Sequence, residues 1–193
     1  MAKERSVIQR YSHGDIISMY IYGEVTEPRN YIQELETIRN ARDTDTIIMY
    51  YNTPGGNLDT AVSFISAMSA SNANIVGVID GLCASAGSLM FLYSDEYEIN
   101  KGGHMLIHAY SSWISGKRNE VLAQVAFSSG LNENLFKDIY LGFLTEEEIT
   151  RVNAGHDIWL AADEISKRCI TLLELRQSSM VDASSDEIEN NEN

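Results

Sequence analysis

Short runs of β-branched and aromatic residues alternate along this chain with stretches whose apolar positions recur every three or four residues, which predicts strands and helices in turn. The segment through Asp15 is polar and lacks a clear period, so it stands apart from the remainder of the chain. Ile16 to Tyr22 reads as a first strand closed by Gly23, and Pro28 opens a helix that puts Ile32, Leu35 and Ile38 on one face. Thr46 to Tyr51, TIIMYY, has the character of a strand covered on both sides, and it runs directly into Asn52-Thr53-Pro54-Gly55-Gly56. A second helix is expected from about Leu58 to Ala70, with Leu58, Ala61, Val62, Ile65 and Met68 facing inward. Ile75 to Ile79 reads as the next buried strand and Gly81 as a turn. Ala84 to Leu92 then reads as the opening of a buried helix, with Ser85 at its N-terminus.

The second half continues the alternation. Short strands are expected over Tyr97 to Asn100 and Met105 to Ala109, and a long helical pattern over about 118–143. On that helix Leu131, Leu135 and Ile139 form one stripe and Phe136, Tyr140 and Phe143 a second, a wider apolar surface than packing within one chain requires. Thr145-Glu146-Glu147-Glu148 has the form of a capping box, and Asn153-Ala154-Gly155 closes the helix that it starts. Asp157 to Leu160 reads as a short strand and Ala161 to Arg168 as another helix. From Ser178 the chain is serine, asparagine and acid, and reads as disordered. The fold class is therefore α/β, organised as an N-terminal segment (1–15), one domain (16–177) and an acidic tail (178–193).

Composition narrows the function classes. With 193 residues, 44% of them hydrophobic, the chain is long enough for one domain with a proper core. A net charge of −14 repels phosphate and anionic lipid, so neither nucleic acid nor a membrane surface is an expected partner. No leader and no long apolar run stands near the N-terminus, which points to a cytoplasmic protein. Two cysteines, Cys83 and Cys169, support neither a disulfide framework nor a zinc site. Gly116-Lys117 lacks the earlier glycine of a phosphate-binding loop and is followed by Arg118, so no nucleotide cofactor is expected.

Ser85 is the candidate for chemistry, because backbone amides left free at a helix start can stabilise an oxyanion and its small neighbours Ala84, Ala86 and Gly87 admit a substrate carbonyl. For a serine taken alone, the need for a small residue at a tight turn is the commoner explanation. A catalytic hydroxyl also needs a base and a group to hold that base. Of four histidines, His13 lies in the polar segment, His156 on a loop and His104 after Gly102-Gly103, whereas His108 ends an apolar strand and is the best placed. Asp157 stands out among 28 acidic residues because it begins a short apolar strand just after a helix stop. Cys83 could be proposed as a thiol nucleophile, but a cysteine on an apolar stretch reads as a packing residue.

The segments YNTPGG (Tyr51 to Gly56), GLCASAGSLMFL (Gly81 to Leu92), MLIHA (Met105 to Ala109) and LTEEEITRVNAGHDIWLAADEI (Leu144 to Ile165) together resemble the ClpP family, the proteolytic subunit of ATP-dependent Clp protease. The resemblance covers roughly Ile16 to Ile170. It implies a ClpP/crotonase-type fold of repeated strand-strand-helix units, with a protruding handle helix over about 118–143 and residues 1–15 in the place of an axial loop. It also implies a Ser85 nucleophile, a His108 base, an orienting Asp157, and oxyanion-hole amides at Gly56 and Ala86. The implied activity is that of a serine endopeptidase working through an acyl-enzyme inside a chamber of two stacked heptameric rings, a tetradecamer. Its substrates would be unfolded polypeptides, and ATP would be used only by a partner Clp-type ATPase. The stripe of Phe136, Tyr140 and Phe143 could line a ligand pocket, but the resemblance assigns it to contact between rings.

The chain departs from the family pattern with Ala86 for the usual methionine, Thr53 for a serine, Ala109-Tyr110-Ser111-Ser112-Trp113 after the histidine, and a shorter N-terminal segment. Such divergence suits a phage-encoded or accessory member. Three other readings share some of these residues: a ClpP-like structural or regulatory subunit that does not cut, a crotonase-like acyl-CoA enzyme, and a membrane-linked signal peptide peptidase. The second lacks a basic cluster for CoA phosphates among only 14 basic residues, and the third lacks both a span and a lysine near Ser85.

Overall fold

The computed structural model describes residues 6–11, 13–109, 117 and 134–191. In chain order these give β1 (Ser6–Tyr11), β2 (Gly14–Tyr22), a 3-10 turn at Pro28–Tyr31, α1 (Ile32–Arg39), β3 (Thr46–Thr53), α2 (Leu58–Ser69), β4 (Asn74–Ala84), α3 (Ala86–Leu92), β5 (Glu96–Ile99) and β6 (His104–Ile107). Helical residues 134–140 form α4. They are followed by α5 (Glu146–Asn153), β7 (Ile158–Ala161) and α6 (Ala162–Asn191).

All seven strands form one sheet in the order β1-β2-β3-β4-β6-β7, with β5 also paired to β4. The β-rich runs lie at its centre, where β2, β3 and β4 are parallel and bury Met19, Ile47, Met49, Tyr51 and Ile79. Each such side chain, taken fully out of water, contributes on the order of 1.5–3 kcal/mol. β4 serves two neighbours along one edge: Val76–Ile79 pairs with β5, and Leu82–Ala84 pairs with β6. Both pairings are parallel, while β7 closes the sheet antiparallel to β6. α3 packs on β4, β3 and β6, and α6 packs on β5, β6 and β7. Phe64 of α2 and Met90, Phe91 and Leu92 of α3 fill the space between helices and sheet.

Several expectations are corrected. Ser6–Tyr11, read as a polar segment without period, forms β1 through antiparallel pairing with β2; it is an exposed edge strand, so no buried face marks it in the sequence. Gly81 does not turn the chain, because β4 continues extended to Ala84. A Cβ there would lie 2.6 Å from Asn52 Oδ1, so glycine answers a close approach of β3. Ile32 and Val62 point to solvent, while Leu35 and Ile38 on α1 and Ala61, Ile65 and Met68 on α2 are buried as expected and Leu58 is half-buried. The backbone of residues 178–191 continues α6, and that stretch contains no glycine or proline to stop a helix already begun. The expected handle helix lies outside the described residues over 118–133, and Leu131 with it. At its end, Ile139, Tyr140 and Phe143 are buried within their own subunit rather than left for another.

The expected capping box is present: Thr145 Oγ1 accepts from the Glu148 amide, and the Glu148 carboxylate accepts from the Thr145 amide. Among the described residues, no helix is long and apolar enough to cross a membrane.

Candidate active site

β4 ends at Ala84 and α3 begins at Ala86, which leaves Ser85 alone to turn the chain from strand to helix. It does so at φ 53° and ψ −121°, the one positive φ at a non-glycine residue among those described. A side chain held in so sparsely populated a region costs on the order of 1–3 kcal/mol, and the surroundings must over-determine it. Here the Ser85 amide donates to the Leu106 carbonyl of β6 at 2.9 Å, and its carbonyl is taken up by the first turn of α3. The result is a sharp elbow that lifts the hydroxyl off the end of the sheet.

The Pro54-Gly55-Gly56 turn presses against this elbow. A Cβ on Gly55 would lie 2.6 Å from the Ala84 carbonyl oxygen and 2.7 Å from Ser85 Cβ, and its φ is +88°, so only glycine fits. Gly56, at φ +143°, is pinned by bonds on either side: Val25 N donates to the Gly55 carbonyl at 2.8 Å, and Asn57 N donates to the Val25 carbonyl at 2.7 Å. Thr53 is fully buried and its Oγ1 accepts from the Gly55 amide at 3.0 Å. Among the described residues, neither the Gly56 nor the Ala86 amide has an acceptor.

His108 follows the last residue of β6 and is half-buried. Its Nδ1 lies 2.7 Å from the Ala109 carbonyl oxygen. A carbonyl can only accept, so Nδ1 carries the proton and Nε2 of the neutral ring keeps its lone pair, the form that a general base requires. Ser85, Ala86, Gly56 and His108 line one small cavity of about 40 Å³, whose apolar walls come from Leu58, Leu89, Leu135, Phe136 and Tyr140. Four of the five predicted site residues are thus brought together.

The fifth, Asp157, is near but not engaged. β6 and β7 pair Ile107 with Ile158, so extending that antiparallel register by one residue sets His108 opposite Asp157. The Asp157 side chain is nevertheless exposed, and no hydrogen bond or ion pair joins it to His108, whose Nδ1 is occupied by the Ala109 carbonyl. Cys83 is fully buried, and burial pushes its thiol well above the ordinary value, so it is a packing residue with no nucleophilic thiolate.

The sequence reading placed two cavity residues elsewhere and passed over a third residue. Phe136 and Tyr140, assigned there to contact between rings, form walls of the cavity beside Ser85. Ser88, which drew no notice, is fully buried and bonds both to the Ser85 carbonyl and to Tyr140. The aromatic stripe was the available signal for Phe136 and Tyr140. Nothing local marks Ser88, because its partner Tyr140 lies far along the chain.

A family model described as Clp protease matches residues 3–170. No curated protein matches the chain.

Proposed function

The chain belongs to the Clp protease family, and from that premise we propose that it is a serine endopeptidase whose nucleophile is Ser85. His108 Nε2 takes the hydroxyl proton as Ser85 Oγ attacks the peptide carbonyl, and the amides of Gly56 and Ala86 receive the oxyanion. The imidazolium then protonates the leaving amine, and water resolves the acyl-enzyme by the same base. Asp157 orients His108 once its carboxylate replaces the Ala109 carbonyl at Nδ1. The observation that carries this reading is the strained elbow at Ser85, with His108 and two unpaired amides on the same cavity. The reaction calls for these side chains, the two backbone amides and water.

By family likeness the subunit assembles into rings that enclose the sites, two stacked heptamers in the fullest form, and acts on unfolded polypeptides in the cytoplasm. ATP enters only through a partner ATPase. The two cysteines are free and buried, which suits a reducing compartment.

One observation favours a second reading, a subunit that assembles without cutting: the exposed Asp157 leaves the triad unaligned. A fluorophosphonate probe separates the two. The proposed protease is labelled at Ser85 and hydrolyses a fluorogenic peptide, and Ser85→Ala loses both while keeping the native mass. Hydrolysis that survives Ser85→Ala, or assembled wild type that takes no label, removes Ser85 as the nucleophile.

A further inference from the structure

We propose that Ser88 and Tyr140 are positioning residues, a two-hydroxyl relay from α4 to the elbow that aims the Ala86 amide into the active-site cavity. The inference rests on the reading of Ser85 as nucleophile. Ser88 Oγ donates to the Ser85 carbonyl oxygen at 2.7 Å, and Ser88 N and Leu89 N donate to the same oxygen at 2.9 and 3.3 Å. That oxygen belongs to the peptide unit whose other end is the Ala86 N–H. In a trans peptide the two point in opposite directions, so anchoring the carbonyl inside α3 fixes the amide pointing outward.

Tyr140 completes the relay. Its hydroxyl lies 2.6 Å from Ser88 Oγ, with Ser88 fully buried and Tyr140 1% exposed. A serine hydroxyl has a single proton, and that proton is committed to the Ser85 carbonyl, so Tyr140 must be the donor to Ser88. With its lone pair engaged, Ser88 has no buried alternative for its proton. Burial also pushes the Tyr140 phenol up, so it remains a donor across the working pH range. The ring is itself braced by Phe136, at 4.2 Å between centroids. Ser85 sits at φ 53° and ψ −121°, where a peptide free to rotate would relax. The relay opposes that rotation and ties it to the seating of α4.

The test uses the full-length assembled protein with Tyr140→Phe, which removes one oxygen and keeps the ring, and with Ser88→Ala, each checked for native mass and melting temperature. Deleting an oxyanion donor outright costs about a hundredfold or more, so misaiming one should lower kcat about tenfold in Ser88→Ala and somewhat less in Tyr140→Phe. KM should stay within about twofold, since only the transition state uses the amide. Affinity for a peptide boronic acid, whose tetrahedral adduct on Ser85 places an oxygen in the same hole, should fall in proportion to kcat. The double variant should be no worse than Ser88→Ala, because the two hydroxyls act in series. Wild-type kcat and boronate affinity in both variants overturn the relay, as do additive losses accompanied by a rise in KM. If wild type takes no fluorophosphonate at Ser85, the parent reading falls and the relay with it. Labelled wild type with unaffected variants removes the relay alone.

Discussion

Gly87 offers the sharpest test of how the two oxyanion amides are held in register. It is the second residue of α3, and a Cβ there would sit 2.5 Å from Thr53 Cγ2. That is about 1 Å short of an ordinary carbon–carbon separation of ~3.5 Å, and Thr53 is fully buried and β-branched, so it has little room to turn away. Gly87→Ala gains about 1 kcal/mol of helix propensity and loses about 1–3 kcal/mol to overpacking, so stability should fall by no more than about 2 kcal/mol. For a chain of this length each 1 kcal/mol lowers the melting temperature by about 2–4 °C.

The catalytic effect should be larger, because of what the wedge separates. Thr53 leads into the turn that carries Gly56, and Gly87 adjoins Ala86, so the added methyl pushes one proposed donor away from the other. A displacement of about 1 Å can cost about a hundredfold, and kcat/KM should fall between tenfold and that limit. Thr53→Ser supplies the control: it deletes Cγ2 while keeping the Oγ1 that accepts from the Gly55 amide at 3.0 Å. Peptide hydrolysis and thermal melting of Gly87→Ala, Thr53→Ser and the pair decide the matter. Full activity in Gly87→Ala, or no recovery when Thr53→Ser is added, refutes the packing argument.

Burial and charge set two further outcomes. Ile139→Glu should reduce the yield of folded subunit itself, since Ile139 is 4% exposed within its own chain and an unpaired buried carboxylate costs several kcal/mol; a well-folded dissociated subunit, seen by sedimentation and circular dichroism, would contradict this. Glu148 is held down to about 2, foremost by its paired bonds to Arg168 at 2.8 and 2.9 Å, so its contribution is complete above about pH 4.5 and drains away as pH falls toward 2. The stability gap between wild type and Glu148→Gln, about 1–3 kcal/mol at pH 7 after allowing for partial exposure, should therefore shrink at pH 3 in urea titrations, and a gap independent of pH would refute the assignment.

How much of this was legible depends on where each residue's environment is made. The runs at Thr46 and Ile75 reveal themselves as strands because they are unbroken and rich in β-branched residues, although β3, expected to be covered on both sides, buries Ile47, Met49 and Tyr51 and leaves Ile48 and Tyr50 on a half-exposed face. β1 buries almost nothing, so its residues carry no pattern to read. Gly81 misleads because glycine marks both turns and close approaches, and only the position of Asn52 tells which. The positions of Ser85 and His108 were legible because short stretches make the local geometry each occupies, an elbow and a strand end, whereas Gly56 was reached only through the family resemblance; all three line one cavity. Ser88 and Tyr140 stand 52 positions apart and meet only once α4 is laid against α3. No local pattern encodes such a contact.

The same distinction bears on Asp157. β6 stops at Ile107 and β7 starts at Ile158, so the ladder that brings His108 and Asp157 opposite one another ends one residue short of holding either. His108 accordingly takes the nearest acceptor, its neighbour's carbonyl, which selects the tautomer a base needs. A neutral carbonyl does that part of the acid's work but not the rest. Bonds to an ionised group are about twice as strong as neutral ones, and only a carboxylate opposes the positive charge that develops on the ring during acylation. In the proposed mechanism, the step from the present arrangement to full activity is thus an exchange of acceptors at Nδ1. It needs only rotation of the Ala109 backbone and an inward turn of the Asp157 side chain, two motions that no strand pairing among the described residues resists.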